Sequence, residues 1–162
     1  MNNSTADPTG LHDAQVLADA TAQSMFARDA ATQSLGMAIV AMGPGTAQLT
    51  MRVRPDMLNG HQTCHGGFIF ALADSAFAFA CNSHNRNTVA SGCSIDYLAP
   101  GRAGDLLTAH AMEQSRTGRT GVYDVTITNQ EGTRIALFRG KSYQVSGEVI
   151  AGVATPVPPA AT

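Results

Sequence analysis

The period of the apolar positions changes along the chain, and each change marks an element. From Asp13 to about Thr32, Ala18, Ala22, Met25 and Phe26 fall at i, i+4, i+7 and i+8, so they share one face of a helix that Asp13 can cap. Leu35 to Met42 is mostly apolar and reads as a first strand, closed by the turn Gly43-Pro44-Gly45. Strict alternation follows. Ala47, Leu49, Met51 and Val53 face one way, and Gln48, Thr50, Arg52 and Arg54 the other. Pro55 ends that strand, and a polar loop runs from Asp56 to Cys64.

Gly66 to Cys81 breaks both periods. Twelve of its sixteen residues are apolar, and four of the chain's six Phe lie in it. The run is apolar on every face of a helix and too long for an ordinary strand, so it predicts a helix buried all round. Asp74 is its one charged side chain. After Asn82 to Asn87 the chain reads as four more strands: Val89 to Leu98, Asp105 to Gln114, Thr120 to Asn129 and Arg134 to Val145. Pro100-Gly101, Thr117-Gly118 and Glu131-Gly132 mark the turns, and the last two are short enough for antiparallel hairpins. The expected fold class is α+β, with one antiparallel sheet around a central helix. A folded domain is expected over 13–147, between a disordered N-terminus at 1–12 and a disordered tail at 148–162 rich in Pro and Ala.

Charge then narrows the function. Only 14% of the 162 residues are charged, against about 25% in an ordinary soluble domain. Lys plus Arg is 10 and Asp plus Glu is 12, a net charge of −2. That balance argues against a nucleic-acid partner, which calls for a basic excess. Few charges on an ordinary apolar fraction of 44% suggest that part of the surface is covered by another copy of the chain. Met1 to Gly10 has neither the basic nor the apolar region of a signal peptide, and no apolar stretch is long enough to span a membrane, so no membrane partner is expected. Cys64, Cys81 and Cys93 cannot all pair, which fits reduced thiols in a cytoplasmic protein.

The candidate chemistry gathers around the apolar helix. A carboxylate there is costly unless it is hydrogen-bonded, and burial would raise its pKa, as suits a general base. Asp74 can equally be a satisfied polar residue or face a subunit interface. Gly66 and Gly67 open the helix, where free N–H groups and the helix dipole can hold a developing oxyanion. They can also be plain turn residues. Asp74 follows Gly66 by eight residues, about two turns, so a carbonyl at the helix start is expected near both. His61, Cys64 and His65 with Asp56 or Asp74 fit no standard zinc spacing, so no metal is expected. Ser75 beside Asp74 lacks a GxSxG elbow. Cys64 beside His65 is a further nucleophile option, but neighbours on an extended chain point apart.

Taken together, Asn59-Gly60-x-x-x-Cys64-His65-Gly66-Gly67 and Ala71-Leu72-Ala73-Asp74-Ser75-Ala76-Phe77 resemble the hotdog-fold acyl-CoA thioesterases. Ser94-Ile95-Asp96-Tyr97-Leu98-Ala99-Pro100-Gly101, Thr120-Gly121-Val122-Tyr123-Asp124 and Ala136-Leu137-Phe138-Arg139-Gly140-Lys141-Ser142 sharpen the likeness toward the PaaI-type thioesterases of phenylacetic acid degradation. The resemblance covers about Leu17 to Val145. It implies a long central helix wrapped by an antiparallel sheet, dimers whose sheets join, tetramers built from them, and active sites at the subunit interface. It implies no cofactor.

The same resemblance assigns roles. Asp74 matches the catalytic carboxylate, Gly66 the oxyanion-hole amide, Asn59 a residue that positions the water or the thioester, and His65 the histidine of the glycine loop. Relatives often carry Ser or Thr early in the next strand; here that place is Ala90, with Ser91 beside it. The implied substrate is a phenylacetyl- or hydroxyphenylacetyl-CoA thioester. Arg116, Arg119, Arg139 and Lys141 are the cations available for the coenzyme A phosphates, and Arg119, in a turn, is favoured. Two alternatives share the fold or the ligand. A hotdog acyl-CoA dehydratase would need a His on the helix, and there is none; the other is a non-catalytic acyl-CoA-binding protein.

Overall fold

A computed structural model describes residues 13–153. The disorder expected at 1–12 lies outside the described residues, as does the part of the expected tail from 154 to 162. The first helix, α1, spans Ala14–Phe26, and Asp13 caps it by accepting from the Gln15 and Val16 amides. The continuous helix expected to about Thr32 is broken. Asp29 leaves helical geometry and its carboxylate caps a second helix, α2 (Ala30–Ser34), by accepting from the Thr32 amide and hydroxyl. An acidic cap inside an apolar period starts a new helix where the period alone would continue the old one.

Two strands follow, β1 (Ala38–Gly43) and β2 (Thr46–Arg52), then a single 3₁₀ turn at Pro55–Met57. The apolar run forms α3, Gly66–Asn82. Four strands complete the chain: β3 (Thr88–Tyr97), β4 (Leu106–Thr117), β5 (Thr120–Thr128) and β6 (Arg134–Gln144). All pairings are antiparallel, in the order β1-β2-β4-β5-β6-β3. This is the central helix in an antiparallel wrap that the resemblance implies.

The alternation read from the sequence becomes the core. Ala47, Leu49 and Met51 of β2 face α3 together with Leu107, Ala109, Val125, Ile127 and Phe138. Leu72, Ala73, Ala76, Phe77 and Phe79 meet them from the helix. A Cβ on Gly140 would meet the Phe77 ring at 2.8 Å, so that glycine lets β6 lie against α3. The helix expected to be buried all round is so at Phe77 and Phe79, while Phe68 and Phe70 are half-buried at the margin of the core.

One polar cluster sits beside this core. Glu113 accepts from the Tyr123 hydroxyl at 2.7 Å and from His84 Nε2 at 2.8 Å, with Arg116 Nε at 3.5 Å. Burial pushes its pKa up, but the His84 and Tyr123 hydrogen bonds outweigh that and hold the carboxyl at about 2. A folded-state pKa below the ordinary value means the ionised group stabilises the fold above the usual Glu range. That stabilisation is lost as pH falls toward 2. Glu113→Gln is expected to cost about 1–3 kcal/mol at neutral pH, more than at pH 3, as read from urea melts at the two pH values. Equal losses at both would contradict the charged role.

Candidate functional site

The site is built where α3 starts and where β3 passes it. Gly66 is the first residue of α3, and no acceptor among the described residues takes its N–H. Its carbonyl accepts from the Tyr97 hydroxyl at 2.9 Å. A Cβ on Gly66 would lie 2.9 Å from the Tyr97 ring, so a larger residue at the helix start would have to displace that ring. His65 caps the helix: its Nδ1 accepts from the Gly67 amide at 3.0 Å, which leaves the ring proton on Nε2. Asn59 Oδ1 accepts from the His61 and Thr63 amides at 2.9 and 3.2 Å and from the Thr63 hydroxyl at 3.3 Å. The Asn59 oxygen is thus spent on its loop, and its NH₂ is the group left to donate. Asn59, Thr63, Gly66 and Tyr97 line one hollow of about 490 Å³.

Asp74 lies elsewhere. It is half-buried on α3 and lines a separate cleft, also of about 490 Å³, with Phe77, Ala78, Val89 and Ala90. The rise from Gly66 to Asp74 is about 12 Å over eight residues, with a rotation of about 80°. The expectation that one carbonyl sits near both residues therefore fails within a single chain. Burial pushes the Asp74 pKa up, and a hydrogen bond from Cys93 partly opposes it. The Cys93 thiol donates to Asp74 Oδ1 at 3.9 Å.

Cys93 and Tyr97 touch the candidate residues Asp74 and Gly66, and sequence reasoning missed both. A signal was present. Four strand residues span about 13 Å, close to the eight-residue helical rise from Gly66 to Asp74. The residues that touch both helix positions are therefore four apart on β3.

The remaining candidates scatter. Ser91 is the extra residue of a β-bulge between Ala90 and Gly92, and its hydroxyl donates to the Lys141 carbonyl at 3.1 Å. Ala90, not Ser91, lines the Asp74 cleft. Arg139 makes a bidentate pair with Asp124, at 2.6 and 2.8 Å, on the outer side of the sheet. Lys141 is exposed on the same strand. Arg119 donates to the Gln144 carbonyl at 2.9 Å and sits 5.0 Å over the Tyr143 ring, at a hollow that it shares with Arg86. Arg116 pairs with Glu113.

The other nucleophile options lose their geometry. Cys64 is buried and its thiol pKa is pushed up to about 11 by burial, while the His65 ring is turned to Gly67. Ser75 Oγ lies 3.2 Å from Thr32 Oγ1, facing α2. Among the described residues no three His, Cys, Asp or Glu side chains come together as metal ligands, and no helix is long and apolar enough to cross a membrane.

Comparison with known proteins bears on this arrangement. Residues 61–136 match the family model of the Thioesterase superfamily. The chain is 52% identical over 128 residues to the acyl-coenzyme A thioesterase PaaI of Escherichia coli (strain K12), covering 79% of this chain and 91% of that one. The solved structure of the E. coli PaaI protein from the phenylacetic acid degradation operon superimposes with a TM-score of 0.82 at 50% identity, over 83% of this chain and 97% of that one. A Streptococcus mutans protein solved bound to acetyl CoA superimposes with a TM-score of 0.67 at 28% identity, over 69% and 90% of the two chains.

Proposed function

The chain belongs to the thioesterase superfamily, and from that premise we propose an acyl-CoA thioesterase that hydrolyses phenylacetyl-CoA and its ring-hydroxylated forms to free acid and coenzyme A. The observation that carries the reading is Asp74: a half-buried carboxylate with a raised pKa at the wall of a largely apolar cleft. The substrate class follows the name of the E. coli relative and its operon, and the cleft suits an apolar acyl group. A role in phenylacetate catabolism in the cytoplasm goes with it, where three free thiols stay reduced.

The site is completed by a second copy. β3 is an edge of the sheet and exposes Val89 and Tyr97, with Leu98 just beyond it. An apolar open edge pairs with another chain. Two β3 strands paired antiparallel about a two-fold axis set the start of one against the end of the other. The Asp74 cleft borders the start of β3 and the Asn59–Gly66 hollow borders its end. Each dimer then carries two sites, each with Asp74 from one subunit and Asn59 and Gly66 from its partner. The outer sheet face exposes Met112, Leu137 and Tyr143, which offers the contact for a homotetramer.

In this site the thioester carbonyl accepts from the Gly66 N–H, and the α3 dipole adds to its polarisation. Asn59 donates from its NH₂ to the carbonyl or the water. Asp74 takes a proton from water as the hydroxyl adds to the carbonyl carbon; in the variant route the carboxylate itself adds and forms an anhydride that water opens. The C–S bond breaks and coenzyme A leaves as its thiolate. His65 holds the loop through Gly67. Arg119, with Lys141, is left for the phosphates, since Asp124 occupies Arg139.

A thiol-release assay over a panel of CoA thioesters tests the reading. Release with aryl-acyl preference supports it. Water addition to an enoyl-CoA would support the dehydratase, and binding without turnover the acyl-CoA-binding protein.

Cys93 sets one further expectation. Activity needs ionised Asp74, so it falls as pH drops through the raised pKa. Cys93→Ala removes the donor that stabilises the carboxylate, so the acid limb of kcat/KM is expected to move to higher pH. An unmoved or lowered limb would contradict the contact.

A further inference from the structure

The Asp74 cleft has a wall that belongs to neither the helix nor the sheet. After β6 the chain continues as a strap over residues 145–153, and Val145 and Val149 of this strap line the cleft together with Ala78. The strap is tied down along its length. The Val145 amide donates to the Asn87 carbonyl at 2.8 Å, and the Asn87 amide donates to the Gly147 carbonyl at 3.2 Å. Asn85 is fully buried, with a positive φ of 58°, and devotes its whole side chain to the strap. Its NH₂ donates to the Ile150 and Val153 carbonyls at 3.1 and 3.0 Å, and its Oδ1 accepts from the Ile150 amide at 2.8 Å. Arg28, at the end of α1, reaches the Val149 carbonyl at 3.5 Å.

A buried amide with every polar atom satisfied by one segment fixes that segment. None of these groups has a part in the chemistry assigned above. Their joint effect is to hold two β-branched side chains, stiff at χ1, in the wall of the cleft that Asp74 lines. A wall so held limits what the cleft admits.

We propose that Val145 and Val149 of this strap set the length and width of the acyl group, making the strap a specificity element. The inference rests on the thioesterase reading, because it takes the group beside Asp74 to be the acyl part of the substrate. Apolar pockets separate substrates that differ by one methylene by about 10- to 200-fold, so one residue of wall can reorder a substrate panel.

The test compares wild-type protein, Val149→Ala and Val149→Phe on acetyl-, phenylacetyl- and 4-phenylbutyryl-CoA, measuring kcat/KM by thiol release, with thermal melts as a folding control. Val149→Phe narrows the cleft, so the ratio of phenylacetyl- to acetyl-CoA is expected to fall at least about tenfold. Val149→Ala widens it, so the ratio of 4-phenylbutyryl- to phenylacetyl-CoA is expected to rise by about the same factor. If Val149→Phe fails to fold, Val149→Ala carries the test alone. A wild-type protein inactive on every thioester overturns the hydrolase reading and this inference with it. An active wild type whose ratios both variants preserve overturns this inference and leaves the hydrolase reading standing.

Discussion

Asp74→Asn is expected to lower kcat on phenylacetyl-CoA by about 100-fold or more, the range that a positioned general base contributes. The amide has the carboxylate's shape and can still accept from Cys93, so the cleft keeps its form. It cannot take a proton from water, and it is no nucleophile, so both proposed routes stop. Stability should move the other way. Burial raises the Asp74 pKa, so the folded state favours the neutral carboxyl. That contribution is full below the ordinary Asp pKa and is lost as pH rises through the raised one. At neutral pH the ionised group is therefore a cost, which the amide relieves, and the variant's Tm should equal or exceed that of the wild type. Hydrolysis within tenfold of wild type would remove Asp74 from the chemistry. A clear fall in Tm would mean that the carboxylate holds structure instead.

The parts of the fold legible in the sequence are those that one period decides. The apolar run at Gly66 to Cys81 could only be a buried helix, and the alternation from Ala47 to Val53 could only be a strand with one face inward. Breaks made by a single hydrogen bond were not legible. Asp29 looks like one more polar position until its carboxylate meets the Thr32 amide. The strap is hidden in the same way. Residues 148–153 read as the start of a featureless tail, because their anchor, Asn85, lies more than sixty positions away.

At the site, residue types were more legible than distances. Asn59, Gly66 and Asp74 stand out by chemistry, but spacing along a helix fixes angle and rise together. Eight residues mean about 80° and about 12 Å, which puts Asp74 on a different cavity from Gly66. Cys93 was hidden because its meeting with Asp74 depends on strand register past a bulge at Ser91. In the proposed dimer the scattered halves connect the low charge of the chain to its chemistry. An edge strand that exposes Val89 and Tyr97 is a poor surface for a monomer and a good one for a two-fold partner.

That partner makes the strongest remaining test. Asp74→Asn and Asn59→Ala are each expected to be nearly inactive as homodimers, since every site lacks one member. Mixed, unfolded and refolded together in equal amounts, they form heterodimers in half of the population. In a heterodimer with shared sites, one site draws both substituted residues. The other draws wild-type Asp74 from the Asn59→Ala chain and wild-type Asn59 and Gly66 from the Asp74→Asn chain. Half of the dimers with half of their sites intact predicts recovery to about a quarter of wild-type activity, as the isologous two-fold requires. Sites contained within single chains would recover nothing, because every chain carries a lesion. A dilution series adds a second reading: activity that persists in isolated monomers would contradict the shared site even if both single variants are dead.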